Sequence, residues 1–110
     1  MMLPKKFLVV HIKRLIERSE DLSELEKKVF LARAARHIND YPAVAENYRL
    51  ALTLAGTQAP WRYDYAFALY KTKQFDEAVR QLKVCELDPS FPKNRTKQLL
   101  KRIRTARSNP

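Results

Sequence analysis

Outside its carboxylates and amines, this 110-residue chain has few side chains suited to nucleophilic, redox or metal chemistry: Cys85, His11 and His37. Neither histidine belongs to a metal-ligand or relay pattern of the kind hydrolytic zinc sites and nucleophile–base pairs require. His37, near the end of an expected helix, is placed to interact with that helix's last carbonyls. One cysteine excludes an intramolecular disulfide and any multi-cysteine zinc site. Cys85 also falls on the apolar stripe of its segment, where a buried structural thiol is expected and not a nucleophile. A single glycine leaves no loop to cradle a phosphate. No catalytic, cofactor-binding or metal-ligating residue is therefore expected, and the chain is read as non-catalytic.

The basic residues are what remains, and their distribution is uneven. Residues 1–18 carry five basic groups and one acidic, and residues 19–90 carry ten and eleven. Residues 91–110 carry seven basic groups and no acidic one, so the formal net charge of +10 belongs to the two ends. Clustered Lys and Arg attract polyanions, nucleic acid or an anionic membrane surface. Equally, basic terminal helices keep a small protein in solution. In the last segment Lys93, Arg95, Lys97, Lys101, Arg102, Arg104 and Arg107 spread over several faces, with Phe91 the one aromatic nearby. Stacking on bases is thus poorly provided for. No run approaches the length needed to cross a bilayer. The N-terminal apolar run is interrupted by His11, Lys13 and Arg14 and reads as an amphipathic helix, not a signal peptide, so a cytoplasmic location is expected.

Positioning these groups falls to helices. At 110 residues, 45% of them apolar, the chain suits a single domain with one core. Pro4 opens a first helix whose stripe is Leu8, Ile12, Leu15 and Ile16, expected to cap one end of the fold, or else to dock on an anionic surface or fold into a groove. Ser23 to Glu26 has the form of a capping box and begins a second helix over 23–38. A third runs over 42–55, burying Val44, Ala45, Tyr48, Ala51, Leu52 and Leu54, with Gly56 as a cap of positive φ. Thr57 to Pro60 connects to the segment 59–89, two helices with a turn at Lys73–Phe75 and a stop at Asp88-Pro89. The apolar positions there are Tyr65, Ala66, Leu69 and Tyr70, then Ala78, Val79, Leu82 and Cys85. A sixth helix spans about 92–107 on Leu99, Leu100 and Ile103, before an ending at Asn109 and Pro110 that should fray. The expectation is all-α, about six helices and no strand.

Aligning Tyr41 with Phe75 brings two helix–turn–helix units into register 34 residues apart. Leu31 then matches Tyr65, Ala32 matches Ala66, Val44 matches Ala78, Tyr48 matches Leu82, and Ala51 matches Cys85. A 34-residue helical-hairpin period resembles the tetratricopeptide repeat family. YDYAFALYKTKQFDEAVRQLKVCELDP is the closer copy, with its small residue, its aromatic after the turn, Asp-Glu-Ala and closing Leu-Asp-Pro. The earlier unit departs from the pattern at Val44 and near Gly56. The resemblance divides the chain into an extra helix (1–20), one repeat (23–56), a second repeat (59–89) and a basic end helix (91–107).

The resemblance implies an α–α superhelix whose inner wall is built by the first helix of each unit. Carried onto this chain, it puts Glu26, Val29, Phe30, Arg33, Arg36 and His37 on that wall, with Tyr63, Asp64, Phe67, Tyr70 and Lys71 beside them. The end helix would add Lys97 and Lys101. The Lys/Asn clamp of chaperone-binding members is not reproduced, since the matching places read Val29, Arg33, Asp64, the neighbourhood of Lys97, and Gln98. The implied function is a protein-interaction adaptor. Its groove residues are Phe30, Arg33, Arg36, His37, Tyr63, Phe67, Tyr70, Lys71, Lys97 and Lys101, and its partner another protein's acidic or amphipathic segment. The alternatives are packing of those aromatics on neighbouring helices, and nucleic-acid or anionic-membrane binding through the basic end helix.

Overall fold

The computed structural model describes residues 4–56 and 58–108, so the expected connector at Thr57 and the ending at Asn109 and Pro110 lie outside it. The described residues form six helices and no strand: α1 (Lys5–Arg18), α2 (Glu24–His37), α3 (Tyr41–Leu54), α4 (Ala59–Lys71), α5 (Phe75–Cys85) and α6 (Lys93–Ser108). Each helix packs against the next in order, as stacked antiparallel hairpins do. The all-α superhelical reading holds.

Local chemistry sets the helix ends. Ser23 Oγ accepts the Glu26 N–H at 3.1 Å, and Glu26 Oε1 accepts the Ser23 N–H at 3.0 Å, closing the capping box at the start of α2. Those bonds hold the Glu26 carboxyl below its ordinary range. Asp40 Oδ1 caps α3 from the Ala43 N–H, and proline occupies the first turn of both α3 and α4. Both α2 and α4 end the same way. The Asp40 N–H reaches back to the Ala35 carbonyl at 3.0 Å, and the Gln74 N–H to the Leu69 carbonyl at 2.8 Å. The residue before each is left-handed, Asn39 at φ 56° and Lys73 at φ 64°. These are Schellman closures at matching places in the 34-residue register.

The expected cap at Gly56 is different, because no glycine here has positive φ. The chain leaves α3 through Ala55 at φ −148° and ψ 57°, and Arg62 donates to the Gly56 carbonyl. The α3 end is closed by the Ala55 N–H, which donates to the Ala51 carbonyl at 3.0 Å, with no left-handed residue.

One continuous core runs from α2 to α6, through Ala32, Val44, Tyr48, Tyr65, Leu69, Leu82, Leu99 and Ile103. Ala32, Ala66, Ala68 and Ala78 are all 0% exposed, and their small side chains let neighbouring backbones approach closely. Burying Leu82, Leu99 and Ile103 contributes roughly 1.5–3 kcal/mol each. A smaller cluster joins Ala59, Cys85 and Phe91, where Cys85 Sγ donates to the Ala59 carbonyl at 3.6 Å.

Two expectations about burial fail. Leu54 is 57% exposed at the end of α3, although Ala51 and Leu52 in the same turn are buried. In α1 the stripe is not packed away, for Leu8, Ile12 and Leu15 are 49%, 45% and 59% exposed. The helix is rotated so that Val9 alone is buried, with Ile16 half-buried, and it packs on α2 and on no other helix among the described residues.

Candidate functional site

The inner faces of α2 and α4 meet in an open cleft of about 520 Å³. Its lining comprises Arg33, Arg36 and His37 from the end of α2, Asn39 from the turn after it, Val44 and Tyr48 from α3, Asp64 and Phe67 from α4, and Lys5 from α1. Helical spacing explains the basic rim: Arg33, Arg36 and His37 stand three and four residues apart and so share a face.

Arg36 is held there by two side-chain hydrogen bonds. Its Nη1 donates to Asn39 Oδ1 at 2.9 Å and to the Tyr41 hydroxyl at 3.3 Å. The guanidinium lies 5.3 Å from the ring centres of both Tyr41 and Phe67, which meet edge-on at 5.9 Å. Lys71 Nζ lies 5.6 Å from Phe67, 5.8 Å from Tyr41 and 5.9 Å from Tyr70. Such contacts are worth roughly 0.5–1 kcal/mol at exposed sites, enough to orient a cation without neutralising it. Neither Arg36 nor Lys71 forms an ion pair among the described residues. Two positive charges are thus held over an aromatic surface that faces solvent.

Asp64 is the only carboxylate in the cleft lining. Burial raises its pKa above the ordinary value, opposed by the Tyr48 hydrogen bond and by Arg95, Arg36 and Arg33. Tyr48 donates its hydroxyl to Asp64 Oδ2 at 3.3 Å. Burial, with the Asp64 charge adding to it, pushes the Tyr48 phenol up to about 12, so it remains a donor at neutral pH.

The ten groove residues named from the sequence do not form one site. Arg33, Arg36, His37 and Phe67 line this cleft, and Phe30 lines an adjoining one with Arg33 and His37. Tyr70 and Lys71 extend the aromatic cluster. Tyr63 belongs elsewhere, 5.5 Å from Phe91 and beneath the Arg95 guanidinium at 4.4 Å. Lys101 lines a separate cleft with Tyr70, Arg102 and Thr105, and Lys97 is exposed on α6 and lines neither. Val29, expected on the wall, is buried, and Glu26 is engaged in the capping box.

Sequence reasoning missed Lys5 and Tyr41, and it placed Arg95 on the basic end helix but not against Tyr63. Tyr41 carried a signal in its 34-residue pairing with Phe75, which marks it as the aromatic beside each inter-helix turn. Lys5 in the cleft and Arg95 over Tyr63 had none, because each approaches from a helix outside the two repeat units. The described residues contain no group of three or more metal-ligating side chains, and no helix long and apolar enough to cross a membrane. Compared with protein-family models, curated proteins and solved structures, the chain has no significant match.

Proposed function

We propose that this chain is a non-catalytic, tetratricopeptide-like interaction adaptor that holds an acidic, amphipathic segment of another protein. The observation that carries the reading is the cluster of Arg36 and Lys71 over Tyr41, Phe67 and Tyr70, beside Arg33 in an open cleft. Carboxylates of the segment would meet the two cations, and its apolar side chains the aromatic rings. A cytoplasmic setting suits a chain whose one thiol is free and buried.

The test is capture of the native partner from the source cell by the wild-type chain and by the double variant Arg36→Glu, Lys71→Glu. Reversing both charges is expected to weaken capture by about tenfold or more. Undiminished capture would move the site to another surface.

A second reading draws support from α6, which carries no acidic residue and leaves Lys93, Arg95, Lys97, Lys101, Arg102 and Arg104 exposed. In that reading residues 91–107 hold nucleic acid or an anionic membrane. Titration with DNA, RNA and anionic vesicles at two salt concentrations separates the two. Affinity that falls steeply with salt favours the second, and no binding at low salt removes it.

A further inference from the structure

Within the stack, α3 packs on both α2 and α4, and α5 packs on both α4 and α6. Each is the second helix of its hairpin, wedged between its own first helix and the next one. α1 precedes α2 as α3 precedes α4, so it occupies a second-helix place. Among the described residues it has a neighbour on one side only. The place of its own first helix is an open furrow of about 520 Å³ between α1 and α2.

That furrow is built like an unfinished packing surface. Leu8, Val9, Ile12 and Ile16 of α1 form one wall, and Phe30 and Ala34 of α2 line the other. Lys5, Arg33 and His37 stand at its rim, and no carboxylate lines it. Leu8, Ile12 and Leu15 recur at i, i+4 and i+7, the spacing that meets a partner helix, and remain about half exposed. Ala68, one 34-residue period after Ala34, is fully buried, whereas Ala34 is only half-buried. From Lys5 to Ile16 the wall runs roughly 16 Å, about three helical turns.

We infer that this furrow is filled by an amphipathic helix of another protein, which takes the empty first-helix place and completes the hairpin with α1. Its apolar stripe lies on Leu8, Ile12 and Phe30, and its carboxylates face Lys5 and Arg33. Charge selects this occupant. A second copy of the chain would bring a further net charge of +10 to a basic rim. A bilayer would meet the outer ridge of α1 but not Ile16 and Phe30 inside the furrow. The inference rests on reading the chain as a binding module, and its furrow adjoins the Arg36–Lys71 cleft, sharing Lys5, Arg33 and His37 with it but not Arg36 or Lys71.

The probe is a displayed library of helices about 15 residues long, four turns, with apolar residues fixed at i, i+4, i+7 and i+11 and random charged or polar flanks. Selection on the wild-type chain should enrich helices with carboxylates along one flank. Leu8→Lys with Ile12→Lys should weaken an enriched helix by about tenfold or more, while Arg36→Glu with Lys71→Glu changes it by less than about threefold. Circular dichroism confirms that the variants fold, and the milder Leu8→Ser carries the test if the lysine pair does not. No enrichment, enrichment of basic helices, or binding indifferent to Leu8 and Ile12 each overturns the inference. So does binding of phosphatidylcholine–phosphatidylserine vesicles that Leu8→Lys abolishes, when no helix has been selected. If Arg36→Glu with Lys71→Glu leaves native capture intact but the selected helices behave as expected, the groove reading fails and this one stands.

Discussion

Two side chains show how position turns ordinary chemistry into a defined role. Asp64 puts a negative charge in the floor of a basic cleft, and burial favours its protonated form. A folded-state pKa above the ordinary 3.8 means that the folded chain holds the proton more tightly. The stability it confers is therefore complete below 3.8 and is lost as pH rises through the folded value. Compared with Asp64→Asn, the wild type should gain stability as pH falls through that window, read by denaturation at several pH values. A difference between the two proteins that does not change with pH would contradict this. The same substitution removes a repulsion, and should tighten binding of an acidic segment by roughly twofold to fivefold. Cys85 is the opposite case, a reactive group made inert. Burial pushes its thiol up to about 11, and its S–H donates a hydrogen bond to the Ala59 carbonyl. Alkylation followed by mass spectrometry should be slow on the native chain and fast in denaturant. Rapid labelling of the native chain would place the thiol outside the core.

At the scale of elements, the recurring device is the left-handed residue that ends α2 and α4. Asparagine tolerates that conformation, so Asn39 is at ease; lysine does not, and Lys73 carries strain of about 1–2 kcal/mol. Glycine would relieve it at an entropic cost of about 0.5–1 kcal/mol. Lys73→Gly should therefore stabilise the chain by about 0.5–1 kcal/mol, and Asn39→Gly by less, measured by chemical denaturation. A loss at 73, or a larger gain at 39, would mean that side-chain contacts there outweigh the backbone. Helix starts were legible from sequence because capping is local: Ser23 with Glu26, Asp40 before Pro42, and Pro60 all act within four residues. Gly56 misled because the chain beyond α3 is held from the following helix, where Arg62 donates to the Gly56 carbonyl, and its backbone is not left-handed.

Across the whole molecule, packing is uneven. The core from α2 to α6 is continuous, while α1 is attached mainly through Val9. Opening of α1 should therefore cost the least free energy among the helices. Amide exchange is expected to be faster along 8–18 than in the centres of α3 and α4, and equal protection would refute this. A partner helix in the α1–α2 furrow would reverse that order, since it would cover the stripe now left half exposed.

What the sequence determined by itself is the set of elements and their register. Apolar spacing, caps and the 34-residue period depend on neighbours within a few turns, and they recover six helices and the small residues Ala32, Ala66 and Ala78 at the crossings. Tertiary structure alone decided which faces stay open. The stripe of α1 has the same pattern as a buried one, and only its rotation onto Val9 shows that Leu8, Ile12 and Leu15 lack a neighbour. Tertiary structure also parted Tyr63 from Phe67, four residues away on the same helix. Phe67 faces Arg36 across the cleft, whereas Tyr63 lies against Phe91 and Arg95 from the far end of the chain. Spacing within a helix assigns a face, and the helix packed against that face assigns its use.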